Sequence, residues 1–311
     1  MSAPCIVFVY NRLEHTKKCL ESLSQAEGAK HTDLYIFSDG PKRESDDSVK
    51  KVRNYIYDIK NKNVFRKVVI IESIINKGLA ASVIEGVNKI VNEYGSCIVV
   101  EDDNIVTQDF LAYMNRALSF YEKDNIWSIS GFSVVNPRLC KNDVYFLGRI
   151  CSYAWATWSD RWNKVDWEIS DYKRFRFDLR MRNRFNEFGT DRANMLDRQI
   201  LSYINSWAIR FDFAEFEYNM FTVYPKYTKV KNIGNDGSGT HFITATTRLD
   251  VELPLQMTEC KFIHDIEIIP EIKNDFCGHY GLRWQARAKR LVLREIEFLR
   301  RKICRKRIHD K

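Results

Sequence analysis

Ser96-Cys97-Ile98-Val99-Val100-Glu101-Asp102-Asp103 is the stretch that decides the fold. Its apolar run is too short for a helix and is rich in β-branched residues, so it reads as a strand buried on both faces. Three acids follow without a break. Open α/β sheets bind ligands beyond the carboxyl ends of their strands, so these acids would concentrate negative charge where a ligand is expected. A hard divalent cation suits such a place, with its remaining positions filled by phosphate oxygens and water. The competing duty, capping the next helix, falls to Thr107, which stands where an N-cap is needed.

Upstream, apolar runs alternate with helical patterns, as in βαβ units building a parallel sheet. Ala3 to Tyr10 reads as the first strand and Asp33 to Phe37 as the second, with a helix between them carrying Leu13, Thr16, Leu20 and Leu23 on one side. A helix over Ser45 to Asn61 and a strand over Lys67 to Ile71 come next. Leu79, Val83, Val87 and Val91 then recur every four residues, the stripe of a helix covering the sheet. Downstream, Phe110 to Tyr121 is helical and Ile126 to Ser130 is a further strand. One helix is predicted from about Arg192 to Trp207. The segment Asn232 to His241 is too glycine-rich for a regular element.

The first strand ends at Asn11 and Arg12, and the second in the turn Ser38-Asp39-Gly40-Pro41. Together with the acids they form a polar rim fit for a nucleobase and its phosphates. Neither G-x-G-x-x-G after the first strand nor G-x-x-x-x-G-K-[ST] anywhere is present, which argues against dinucleotide dehydrogenases and P-loop enzymes.

The ordered set Phe8-Val9-Tyr10-Asn11-Arg12, Ser38-Asp39-Gly40, Asn76-Lys77-Gly78-Leu79 and Val99-Val100-Glu101-Asp102-Asp103 resembles the nucleotide-binding half of GT-A glycosyltransferases. It is most similar to the Golgi N-acetylglucosaminyltransferase that starts hybrid N-glycans and to bacterial surface-polysaccharide transferases. The resemblance is good over about residues 3–135 and looser to about 242. It implies an α/β fold with a Rossmann-like, mostly parallel central sheet over 1–135 and an acceptor-binding, catalytic half of the same domain over 136–283, to which the chain's own pattern adds a C-terminal helix over 284–311. It also implies that Asp39 hydrogen-bonds a uracil, that Arg12 lies near the base or phosphates, that Asp102 contacts the ribose, and that Asp103 binds the metal of a D-x-D-like motif with Glu101 in support. Asn11 and Lys77 join the donor-binding set. The cofactor is then Mn or Mg, and the donor a UDP-sugar carrying a hexosyl or N-acetylhexosaminyl group.

By the same resemblance the second half supplies a base at a helix start, for which Leu196-Asp197-Arg198 is the match and Asp191 the competitor. Such a base implies an inverting transfer. In the aromatic run Tyr153 to Trp162 most rings belong to a core, and Trp155 is the one expected to touch sugar. His241, after a glycine-rich loop, would complete the metal shell.

The chain has 311 residues, 45% of them hydrophobic, enough for a large core and against disorder. Its formal charge of +8 has one address. Residues 284–311 hold eleven Lys and Arg against three acids, so the rest sums to zero. Ala288, Val292, Ile296, Leu299 and Ile303 recur there at helical spacing, the pattern of a basic amphipathic helix that lies on an anionic membrane or packs on the body. Eight scattered cysteines without C-x-x-C read as reduced thiols. No apolar run reaches the roughly 20 residues that span a bilayer. The expectation is a cytoplasmic enzyme, peripheral at the inner face of the membrane, that extends a saccharide acceptor on a lipid carrier during capsule or O-antigen assembly. Nucleic-acid binding through the tail is the rival from another class, but it leaves the strand-end acids unexplained and no nucleic-acid partner is expected. A sugar nucleotidyltransferase would need a glycine-rich, arginine-containing signature after the first strand, and none is there.

Overall fold

The computed structural model describes residues 2–43, 45–234, 249–254, 259–280, 293–298 and 300. In chain order the elements are β1 (Cys5–Val9), α1 (Leu13–Ser24), β2 (Asp33–Ser38), α2 (Asp47–Asn61), β3 (Lys67–Glu72), α3 (Leu79–Tyr94), β4 (Ser96–Glu101), β5 (Asn104–Val106), α4 (Phe110–Phe120) and β6 (Ile126–Ser130). They continue with β7 (Val144–Leu147), β8 (Trp155–Trp158), α5 (Ser159–Trp162), α6 (Tyr172–Phe177), α7 (Leu179–Phe185), α8 (Arg192–Ile200), α9 (Trp207–Glu217), β9 (Phe221–Pro225), β10 (Val230–Asn232) and α10 (Pro270–Tyr280).

Eight strands form one sheet in the order β3-β2-β1-β4-β8-β6-β9-β7. The first four run parallel, β8 and β7 run against their neighbours, and β6 and β9 are parallel to each other. Cys5, Val7 and Val9 point into a layer with α1, α2 and α4, while Ile6 and Phe8 point into the opposite layer with α3 and α9. Both faces of β1 are covered, which is why its sequence is unbroken apolar rather than alternating. The larger core cluster takes side chains from Ala3 through Phe276, so one core runs through both halves of the sequence.

Three expectations need correction. Leu79 opens α3 but is exposed, and the buried stripe is Ala80, Val83, Val87, Ile90 and Val91. The helix expected over 192–207 is two helices, because Ser202 takes a positive φ of 55° and Ser206 caps α9 by accepting the Ile209 N–H at 3.3 Å. Thr107 does not cap α4 through its side chain: its hydroxyl donates to Asp109 at 2.6 Å. The acids Glu101 to Asp103 have no capping role either, since β5 follows them.

The seven described cysteines are free thiols, six of them buried. Among the described residues no helix is long and apolar enough to cross a membrane.

Candidate active site

β2, β1 and β4 lie side by side and end together, with Val9 opposite Ser38 and Phe8 opposite Glu101. The parallel register therefore brings Asn11 and Arg12, Ser38 and Asp39, and Glu101 to Asp103 to one sheet edge. Arg12 is shared by two acids: its Nη2 donates to Asp102 and, at 2.9 Å, to Asp103. Burial opposes its charge, but the two carboxylates more than offset that and hold the guanidinium firmly protonated.

One arginine does not neutralise three acids. Burial raises Asp102 to about 6 against the pull of Arg12, and Asp103 adds repulsion. Burial and both neighbouring acids likewise push Glu101 well above the usual carboxylate range, although the Trp207 indole N–H donates to it. Asp102 Oδ2 is buried with no hydrogen-bond partner. Such an oxygen is costly to leave unpaired and is suited to a ligand hydroxyl or cation.

Asp103 is held from the far end of the sequence. β10 pairs antiparallel with β5, which puts Asn232 opposite Asn104. The Asn232 amide then donates to Asp103 Oδ1 at 2.9 Å, and the Ile233 N–H donates to the Asp103 carbonyl at 2.8 Å. A Cβ on Gly234 would sit 2.2 Å from Asp103 Oδ2, so any larger residue here would push the Asp103 carboxylate from its place. Asn232, Gly234 and Trp207 are the site residues that sequence reasoning missed. Asn232 and Gly234 were visible only as part of a glycine-rich loop.

Asp39 proves to be fully occupied. Its Oδ1 accepts the backbone N–H of Gly40 at 2.8 Å and of Lys77 at 2.9 Å, and its Oδ2 accepts the Asn76 amide at 3.1 Å and the Gly78 N–H at 2.9 Å. Four donors fill about four lone-pair sites. The carboxylate thus shapes the loop 76–78, and a uracil N–H would have to displace one of these donors. Arg53 fastens the same turn from α2, donating to the Ser73 carbonyl at 2.7 Å and to Ser38 Oγ at 3.2 Å. A cleft of about 210 Å³ opens here, lined by Ser38, Asp39, Ser73, Lys77 and Glu85 among others, and the acidic triplet does not line it. Lys77 is exposed and its ammonium is paired with Glu85.

The geometry argues against two assignments in the second half. Asp197 is 5% exposed and lies in a bidentate pair with Arg182, at 2.9 and 2.7 Å, while the Tyr172 hydroxyl donates to it at 2.8 Å. With Arg294 Nη1 also 3.6 Å from its Oδ2, Asp197 is enclosed by two arginines and a tyrosine, an arrangement that argues against a base facing an acceptor. Its competitor Asp191 is likewise bidentate, to Arg149 at 2.7 and 2.9 Å, and this pairing lowers its pKa despite burial. Trp155 is 1% exposed, stacked on Trp207 at 4.9 Å and Trp162 at 5.8 Å, and cannot reach a sugar. Being at the start of β8, opposite Val99, it instead backs the strand that presents the acids. His241 lies outside the described residues.

The model of glycosyl transferase family 2 matches residues 5–193, more than half of the chain. This chain belongs to glycosyl transferase family 2. The matched segment contains the whole sheet edge just described, and the sheet and family together give a GT-A fold. No curated protein matches it. Among solved structures it is similar to a 1–349 fragment of S. aureus TarS, with 11% identity and TM-score 0.43 over 76% of this chain and 62% of that one. GalNAc-T7, solved with UDP, GalNAc and Mn2+, gives 10% identity and TM-score 0.47 over 73% and 42%. The mannosyltransferase PcManGT from Pyrobaculum calidifontis, solved with GDP-Man and Mn2+, gives 13% and 0.37 over 51% and 45%. The chain thus spans less than two thirds of each of these structures.

Proposed function

We propose that this family 2 chain transfers a sugar from a UDP-sugar to a saccharide hydroxyl in the assembly of a surface polysaccharide, with a divalent ion, Mn or Mg, in the site. The observation that carries the reading is the cluster of three acids at the end of β4, two of which share Arg12 while Asp102 Oδ2 stays buried and unpartnered.

The residues fit a metal. They offer hard oxygen donors at one strand end, and Asp102 Oδ2 is buried there without a hydrogen-bond partner. Among the described residues no group of three or more His, Cys, Asp or Glu forms a ready-made metal cage. That agrees with a site that binds the ion through one or two carboxylates and leaves its other positions to diphosphate and water. Asp103 would hold the ion, which when bound supplies Lewis-acid stabilisation of the departing nucleoside diphosphate. Asp102 would accept a ribose hydroxyl, Asp39 would keep the 76–78 loop in the shape that receives the base, and Arg12 would neutralise the remaining charge.

An inverting transfer has lost its support, because both acids weighed as its base are tied to arginines. The acceptor is read as lipid-linked and the enzyme as peripheral at the inner face of the membrane, on the strength of the basic residues 284–311. Helix 293–298 is packed on the body, with Glu295 accepting from Arg176 at 2.6 Å and Phe298 beneath the same guanidinium at 3.7 Å.

A thermal-shift screen of nucleotide sugars with and without Mn tests the reading, since a ligand of the native state raises its stability with occupancy. The expected result is a Mn-dependent shift with a UDP-sugar. Shifts with GDP-sugars alone would replace the donor, and no shift with any nucleotide sugar would overturn the proposal.

A further inference from the structure

We infer that the α6–α7 segment, and not the C-terminal helix alone, forms the surface that meets an anionic membrane. This rests on the peripheral-membrane reading above and adds a second element to it.

Tyr172, Phe175, Arg182 and Phe185 bury the inner faces of the two short helices. The outer faces carry Lys173, Arg174 and Arg180 together with Phe177 and Leu179, each of the last two 66% exposed. Exposing two large apolar side chains side by side is unfavourable in water unless something else covers them. No exposed acid lies between residues 172 and 184: Asp178, half-buried, accepts the Met181 N–H at 2.9 Å.

Helix 293–298 adjoins this surface through Arg176, whose guanidinium lies 4.9 Å from the Phe177 ring and 3.7 Å from the Phe298 ring while also holding Glu295. Docking uses up Arg294, Glu295 and Phe298. What it leaves outward is Leu293, 52% exposed, Ile296, 41% exposed, and Arg300, a spacing of three and four that marks one helix face. The two elements thus repeat one composition, an exposed apolar pair beside arginine or lysine, with Asp178 bound to backbone and Glu295 to Arg176 and Arg294.

Apolar side chains that reach the acyl boundary and cations that meet headgroups are the two requirements of an interfacial surface. A polyanion such as DNA would use the cations but would have no use for Leu179, Leu293 or Ile296. The partner is therefore an anionic lipid surface.

The test is sedimentation of the full chain with vesicles of phosphatidylglycerol and phosphatidylcholine, against phosphatidylcholine alone. Wild type should bind the anionic vesicles only. The double variant Phe177→Ser/Leu179→Ser should lose about tenfold or more in partitioning, while Tm and donor hydrolysis in solution stay unchanged. Phe177→Trp should keep binding and show a blue-shifted emission on adding vesicles. If Phe177→Ser/Leu179→Ser bound like wild type while Leu293→Ser/Ile296→Ser did not, the tail alone would be the anchor; the inference would fall and the membrane reading would stand. Wild type that ignored both vesicle types, or that bound only a DNA duplex, would overturn both.

Discussion

Asp102 and Asp197 are both buried aspartates facing an arginine, yet they are in opposite electrostatic states. Arg182 serves Asp197 with both of its terminal nitrogens, and Tyr172 adds a third donor. Arg12, by contrast, divides one nitrogen between Asp102 and Asp103, and one Asp102 oxygen has nothing. The second half of the molecule repeats the first pattern, with Arg149 on Asp191 and Arg192 on Asp212. Where each acid has its own arginine, charge has been used for architecture. Where acids outnumber arginines, charge remains available for a ligand.

The largest expected effect tests the under-compensated side. Asp103→Ala should cut metal-dependent donor hydrolysis by about a thousandfold, as loss of a group that stabilises developing charge does, with circular dichroism and Tm near wild type. On the compensated side, Asp197→Asn should leave kcat per folded molecule close to wild type. It should also lower unfolding free energy by about 3–5 kcal/mol in urea melts, because it strands Arg182 in the interior. A thousandfold loss of kcat without loss of stability would break the comparison and restore Asp197 as the base.

Glu215 is the exception in the second half and sharpens the rule. It is fully buried, Thr222 donates to one of its oxygens at 2.6 Å, the other has no partner, and burial plus the nearby Asp212 hold its pKa well above normal. A raised carboxyl keeps its proton in the native state and loses it when unfolded, so its stabilisation is complete below the ordinary value near 4.5 and drains away as pH rises. Glu215→Gln should therefore gain stability relative to wild type between pH 5 and 8, by at most about 1.4 kcal/mol per pH unit. A difference that does not vary with pH would mean Glu215 is ionised in the fold. The smallest effect is expected at Asp39→Ala, which should raise KM for the donor roughly fivefold by loosening four hydrogen bonds to one loop, with little change in kcat.

The sheet edge was legible because its signals are local. An apolar strand and the acids that follow it are adjacent in sequence, and parallel strands bring such adjacencies to one edge without further information. Asp197 was not legible because its state depends on a residue fifteen positions away, in a segment offering Arg180, Arg182 and Arg184 alike. The break between α8 and α9 escaped for a related reason: apolar residues continue at helical spacing through it, and only the positive φ of Ser202 and the cap at Ser206 interrupt the helix. Trp155 was misplaced because an aromatic near a site reads the same whether its ring faces ligand or core.

The pairing of β5 with β10 also bears on when the site comes into being. Asn232 reaches Asp103 across 129 positions of sequence, a loop whose closure must precede any reward from the contact. During synthesis the acids of β4 emerge early, but Asp103 stays half-dressed until residue 232 has left the ribosome. Competence to hold a donor should thus appear abruptly and late, and a nascent chain halted before residue 232 should carry the acidic motif without the site.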